Sequence, residues 1–307
     1  MKRGNHTLST PFKLEWLISD NEEKLDIKEF LKGYQVSRTA LTDIKFNGGQ
    51  ILVNNKEVNV RYKLQSGDHL TLVFPSEITS SEMIATPIPL DVVYEDDYLL
   101  IINKQPFIPT IPSRQHPNNS LANALMYYYQ QIGLGSTIHI VNRLDRDTSG
   151  LFVVAKYRYI HHVLVEQQKK GRLKRRYEAI SHGIINPLSG TIDAPIARKP
   201  DSIIERMVHP DGQKATTHYN VIQHYHKKDV THVSLQLETG RTHQIRVHLS
   251  NAGFPLIGDD LYGGSIELLN RQALHCSEVT FDHPISKEPL SIQIDLPLDM
   301  NMVLKGE

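Results

Sequence analysis

Cysteine is nearly missing from this chain, with one residue, Cys276, in 307. A lone thiol excludes an internal disulfide, so a disulfide-framed secreted domain is ruled out and a reducing, cytoplasmic setting is expected. No apolar run approaches the roughly 20 residues that a membrane span requires, and Met1 to Leu17 hold no apolar stretch suited to a secretory signal. No membrane association is expected. An excess of one charge is also absent. The 34 Lys plus Arg balance 34 Asp plus Glu, so the chain as a whole carries no polyanion-binding signature. A cysteine cluster and a glycine-rich phosphate loop are both lacking, and His161-His162 are adjacent rather than four apart, the spacing that puts two ligands on one helix face. No metal site and no cofactor are expected.

What is present is ample core material, with 39% hydrophobic residues in a length that accommodates one large and one small domain. After an N-terminal segment, 1–21, residues 22–76 read as a small module. Leu25, Ile27, Phe30 and Leu31 suggest one short helix, and Ser37 is placed to cap a second that carries Leu41 and Ile44. Beyond Gly48-Gly49 the pattern becomes strand-like, with Asn54-Asn55 and Gly67-Asp68 as turns. The segment 77–90 reads as a linker, on the prolines at 75, 87 and 89 and the serines at 76, 80 and 81. Residues 91–302 form the larger unit.

In that unit Tyr98 to Asn103 reads as a buried strand and Ser120 as the cap of a helix bearing Leu121, Leu125 and Met126. A helix over about 160–170 ends at Gly171, and strands are expected over 175–184, 215–225, 231–238, 273–281 and 290–294. His226-Lys227-Lys228-Asp229 separates two of them closely enough for a hairpin. The expected fold class is α+β, with a mixed, largely antiparallel sheet and helices packed on it.

Three segments carry candidate chemistry. Asn142 to Gly150 crowds two carboxylates, two arginines and two hydroxyls between the apolar runs 137–141 and 151–155. Such a loop can hold an acid in a fixed orientation among guanidinium groups, although from composition alone the reading as an ordinary polar connection is the stronger. Glu238 to Leu249 resembles a strand end, a glycine turn and a helix opened by Thr242, with Ile245 and Leu249 inward and Arg246 on an adjacent face. Arg175 to Ala179 alternates along a strand, so Tyr177 and Ala179 share a face, as core residues commonly do. Lys169, Lys170, Arg172, Lys174, Arg175 and Arg176 put six cations in eight positions, which by itself reads as a solvated helix end.

Taken in order, these motifs resemble the RluA-type family of RNA pseudouridine synthases. The resemblance rests on Asn103-Lys104, Arg143-Leu144-Asp145-Arg146-Asp147-Thr148-Ser149-Gly150-Leu151, Tyr177-Glu178-Ala179 with Gly183, Gly240-Arg241-Thr242-His243-Gln244-Ile245-Arg246-Val247-His248-Leu249, Gly258-Asp259 and Tyr262-Gly263. Ala273-Leu274-His275 and His283-Pro284 extend it, so it covers about residues 90–300. The module 22–76 is similar to the S4 RNA-binding domain through Val36-Ser37-Arg38, Gly49 to Asn54 and Gly67-Asp68, with eight basic residues against seven acidic ones. Two departures stand out. Asn142 takes the place of the family's usual His, and the usual Lys-Pro-x-Gly with its following His-Pro reads Lys104-Gln105-Pro106-Phe107 and Ile111-Pro112.

The resemblance implies a cofactor-free isomerase in which uracil leaves C1′ of its ribose, turns, and rejoins through C5. Asp145 is the implied catalytic carboxylate, acting on the sugar, on the base or as a proton acceptor. Arg246 is implied to balance its charge, and Tyr177 to stack on the target base with a possible share in removing the C5 proton. Arg143 is implied to fill the gap left by a flipped uridine. The basic run 169–176, Arg241 and, in the small module, Arg38 are expected RNA contacts. Ribosomal RNA is the favoured substrate over tRNA, and a monomer the expected state. Two rival readings are a non-catalytic RNA-binding or ribosome-assembly protein and a hydrolase using Asp145 and Asp147 as an acid and base pair.

Overall fold

The computed structural model describes residues 11–77, 83–113 and 117–305. The small module contains β1 (Lys13–Leu17), α1 (Ile27–Gly33), α2 (Arg38–Phe46), β2 (Gln50–Val53), β3 (Lys56–Glu57) and β4 (His69–Val73). Its helices begin where side chains accept the free N–H groups of a first turn: Asp26 accepts from Glu29 N–H, and Ser37 from Ala40 N–H. Its sheet runs β1-β4-β2-β3. The expected N-terminal segment 1–21 is thus not separate from the module, because β1 pairs along its whole length with β4; residues 1–10 lie outside the described residues.

The larger unit contains β5 (Val92–Glu95), β6 (Leu99–Lys104), α3 (Leu121–Gln131), β7 (His139–Ile140), β8 (Ser149–Ala155), α4 (Arg158–Lys169), β9 (Lys174–His182), β10 (Ser189–Asp193), β11 (Ile196–Arg198), β12 (Arg206–Val208), β13 (Thr216–Tyr225), β14 (Val230–Leu237), α5 (Gln244–Asn251), β15 (Leu274–Asp282), β16 (Pro289–Gln293) and α6 (Leu298–Lys305). Ten of the strands make one sheet in the order β10-β13-β14-β9-β15-β8-β6-β5, with β16 on β15 and β7 on β8. Strands buried on both faces read as unbroken apolar runs, and every residue of β8 is buried. Outer β10 instead alternates exposed and half-buried positions. The fold is α+β with a mixed, mostly antiparallel sheet.

The parallel exception in this sheet positions the site. β15 and β8 run in the same direction only where His275 faces Ser149 and Cys276 faces Gly150. Gly150 holds φ +111°, and a Cβ there would overlap the backbone N and O of Cys276. Only glycine permits that approach. The polar loop 142–148 therefore emerges at the seam between two half-sheets.

The two units share a continuous apolar cluster. Phe12 stacks on Tyr157 with ring centroids 4.3 Å apart, Phe74 packs on Tyr159, and the Tyr159 hydroxyl donates to the Tyr34 carbonyl. Where described, the expected linker is strapped to the larger unit. Glu77 accepts from the N–H of Arg158 and the hydroxyl of Thr137, and Ile84 O accepts from Asn123. Residues 78–82 of that stretch, including Ser80 and Ser81, lie outside the described residues. Among the described residues no helix is long and apolar enough to cross a membrane.

Candidate active site

The loop between β7 and β8 is fixed from behind by buried polar groups. Asn142, 2% exposed, accepts the N–H of Val153 at 2.7 Å through its side-chain oxygen, which ties the loop's start to β8. The residue that departs from the family pattern is thus a backbone tie. Lys104 is equally buried, and its ammonium donates to the carbonyls of Gln105, Arg146 and Thr148 at 3.0, 2.9 and 2.9 Å. Burial pushes this amine down to about 7, against the pull of Asp147 and Asp145. Thr110, from the altered 104–112 loop, donates to Leu144 O, and Gln272 donates to the Thr148 hydroxyl. The two carboxylates of the loop then separate. Asp147 is clasped by its neighbour Arg146 at 2.8 and 2.9 Å, while Asp145 lines a cleft of about 340 Å³. The acid and base pair of the hydrolase reading is therefore not assembled.

Across the cleft, α5 supplies Arg246 from a position 101 residues further along the chain. Its Nη1 donates to Asp145 Oδ2 at 3.1 Å. Its Nε and Nη2 grip Asp259 at 2.7 Å each, and the guanidinium lies 4.9 Å above the Tyr262 ring. Asp259 is fully enclosed, the Arg246 side chain is 7% exposed, and Asp145 is 27% exposed. Burial opposes the charge on Arg246, but Asp259 and then Asp145 outweigh it and carry the guanidinium above its ordinary range. One cation thus serves a structural carboxylate on one edge and a cleft-facing carboxylate on the other. Among the described residues no donor reaches the second oxygen of Asp145, Oδ1.

The start of α5 differs from expectation. Thr242 does not cap it; His243 occupies that position in a left-handed conformation, φ 58°, and makes no capping bond with its side chain. Gln244 organises the turn instead. Its oxygen accepts from the Thr239 hydroxyl and Arg241 N–H, and its amide donates to Thr216 O and the Thr217 hydroxyl. Ile245 and Leu249 face inward as expected.

Tyr177 lies in the cleft wall, 4% exposed, with its hydroxyl accepting from Arg175 at 3.3 Å. Burial pushes this phenol far above its usual range, so it stays protonated. Arg143 and Arg241 also line the cleft; Arg143 is exposed and has no partner among the described residues. The basic run is divided by strand alternation. Arg175 shares the cleft side with Tyr177, whereas Lys169, Arg172 and Arg176 pair with Glu166, Asp282 and Glu278. Lys170 and Lys174 are exposed away from the cleft lining, and Arg38 is exposed at the first position of α2.

Sequence reading missed the roles of Lys104, Asp259, Tyr262 and His243. All four fall inside motifs quoted for the resemblance, but a motif does not say which residue faces which. The one local signal is Gly258, at φ +74° against the Arg271 carbonyl, which presents Asp259 beneath α5.

A carboxylate held by a buried arginine thus stands beside an aromatic wall at the seam of a mixed sheet. Comparison with known proteins gives the class. The RNA pseudouridylate synthase family matches residues 98–251. An uncharacterized RNA pseudouridine synthase of Bacillus subtilis, YjbO, is 50% identical over 92% of this chain and 99% of the relative. The ribosomal large subunit pseudouridine synthase D of Escherichia coli is 36% identical over 82% of this chain and 80% of its own. Among solved structures, human RNA pseudouridylate synthase domain containing 1 superposes with a TM-score of 0.57 at 25% identity, covering 69% of this chain and 85% of that one. The chain belongs to the RluA-type RNA pseudouridine synthases.

Proposed function

We propose that this synthase isomerises uridines of ribosomal RNA, with Asp145 as the catalytic carboxylate, Arg246 as its charge partner and Tyr177 as the face on which the base stacks. The observation that carries the reading is the single-sided grip on Asp145: the residue lines the cleft, Arg246 holds its Oδ2 at 3.1 Å, and no donor among the described residues reaches Oδ1. Attack on the sugar, attack on the base and proton removal all use a carboxylate oxygen that no protein donor blocks. In each case the N1–C1′ bond breaks, the C5–C1′ bond forms, and the C5 proton is replaced by one on N1. Tyr177, kept a phenol by its burial, supplies stacking rather than a base.

A uridine enters such a site only when turned out of its stack, at a cost of a few kcal/mol. Arg143, without a partner among the described residues, fills the vacated space in this reading, and Arg175 and Arg241 take phosphates. The module of α1, α2 and β1 to β4 is an S4-like RNA-binding domain that grips the same RNA through the exposed face bearing Arg38. Ribosomal RNA is favoured by the Escherichia coli relative, named for the large ribosomal subunit. That substrate fits a monomer working in the cytoplasm.

The test is chemical mapping of pseudouridine in ribosomal RNA and tRNA taken from cells lacking the gene, before and after incubation with purified protein. New pseudouridines are expected in ribosomal RNA with the wild type and none with Asp145→Asn, which still binds RNA. Turnover by Asp145→Asn at the wild-type rate refutes the role of Asp145; modification confined to tRNA refutes the substrate.

A further inference from the structure

His243 belongs to none of the interactions already assigned to catalysis, yet it stands beside Asp145 in the cleft lining. Its ring is largely buried, with Nε2 3.8 Å from Asp145 Oδ2, the same oxygen that Arg246 contacts. Its Nδ1 lies 2.8 Å from the Tyr262 hydroxyl. That hydroxyl already accepts the backbone N–H of Arg206 at 2.9 Å. A phenol has one proton to give, and burial holds the Tyr262 pKa up, so the proton stays on the oxygen. With an incoming N–H on one side, the hydroxyl donates to Nδ1. In that arrangement Nδ1 accepts, and Nε2 carries the hydrogen on the side of Asp145.

Burial pushes the imidazole pKa down. Asp145 and Asp259 pull it up, and Arg246 and Arg206 push it down. The backbone of His243 holds a left-handed conformation that histidine adopts uncommonly and asparagine tolerates better. Such strain persists where the surroundings impose it, and His243 lines the cleft from that position.

We propose that His243, locked as the Nε2–H tautomer by Tyr262, is a positioning residue that shares Oδ2 of Asp145 with Arg246 and so reserves Oδ1 for the uridine. The proposal rests on Asp145 being the catalytic carboxylate. At 3.8 Å the imidazole is beyond hydrogen-bond length, so it acts on Oδ2 electrostatically and as a wall, adding to the 3.1 Å guanidinium bond a second restraint on the turning of the carboxyl group. The bystander oxygen is thereby distinguished from the reacting one before RNA arrives.

The experiment separates this from a merely structural role by using two amide replacements. The side-chain nitrogen of glutamine reaches the place of Nε2, whereas that of asparagine reaches only the place of Nδ1. Asparagine, however, suits the left-handed backbone better. Single-turnover and steady-state rates are measured on ribosomal RNA for His243→Ala, His243→Gln, His243→Asn and Asp145→Asn, each matched to wild type by thermal melting at the assay temperature. The expected result is a kcat at least tenfold lower for His243→Ala with KM within twofold, recovery to within about threefold for His243→Gln, and no recovery for His243→Asn. Equal or better rescue by asparagine, or an unchanged kcat in His243→Ala, overturns the proposal. If Asp145→Asn also turns over, the catalytic assignment itself has failed; if it is dead while the His243 variants are normal, only this inference falls.

Discussion

Replacing Asp259 by Asn tests whether the buried edge of Arg246 sustains both the fold and the chemistry. The carboxylate takes two 2.7 Å bonds from Nε and Nη2 and has no exposure to water. An amide of the same shape accepts one of these bonds and turns N–H against N–H at the other. The guanidinium then keeps a full charge, 7% exposed, with Asp145 as its remaining carboxylate. Breaking a buried ion pair from one side costs about 3–5 kcal/mol, and the surviving bond puts this substitution at the lower end. For a domain of this size about 3 kcal/mol corresponds to a fall in Tm of roughly 6–12 °C. Calorimetry gives that number, and kcat measured well below the melting point gives the second. Arg246 is expected to swing toward Asp145 and lower kcat at least tenfold with little change in KM. The double substitution Arg246→Met with Asp259→Leu removes both charges and is expected to recover most of the lost stability and none of the activity. A Tm for Asp259→Asn within about 2 °C of wild type, roughly the shift of a single kcal/mol, refutes the reasoning.

Two further outcomes follow from the supports of the loop. Burial carries the Lys104 amine to about 7 in the fold from 10.5 in the open chain, so between those values the unfolded state binds a proton that the folded state lacks. Stability conferred through this residue therefore rises with pH across that window, by about 1.4 kcal/mol per unit, and denaturant midpoints at pH 7 and pH 9 are expected to lose that difference in Lys104→Met. In Gly150→Ala, the added methyl meets the Cys276 backbone at the parallel seam, with an expected loss of about 4 kcal/mol or more, read as insoluble or melted protein by circular dichroism.

Much of the local structure was legible because its causes are local. Ser37 and Ser120 begin helices with their own hydroxyls, and Asp229 turns the hairpin before β14 in a left-handed conformation. The unbroken apolar run of β8 marks a strand covered on both faces. What was not legible depends on partners distant in the chain. β1 is a strand because β4 lies beside it, and the short pair β11 and β12 and the helix α6 escaped notice for lack of a strong period. The same holds at the site. Asp145 and Arg246 were identifiable through motif resemblance, but the clasp of Asp259, the tautomer imposed by Tyr262 and the burial of Lys104 are facts of juxtaposition. The basic run shows the converse: read as a line it is a polycation, and in the fold three of its members have the carboxylate neighbours Glu166, Asp282 and Glu278.

These partners explain how a chain of zero net charge builds a site for a polyanion. Near the cleft the buried basic groups are satisfied from behind: Arg271 by Asp299, the Lys104 amine by backbone carbonyls, and the inner edge of Arg246 by Asp259. The cations of the lining with no carboxylate partner among the described residues are Arg143, Arg175 and Arg241, beside the pair of Arg246 and Asp145. Net charge governs long-range steering, whereas a site responds to the charges its own walls leave unpaired. Balanced acids elsewhere on the surface therefore subtract little from the cleft. The parallel seam at Gly150 joins both properties, since the close approach of β8 and β15 that demands glycine also aims the loop carrying Asp145 at the arginine of α5.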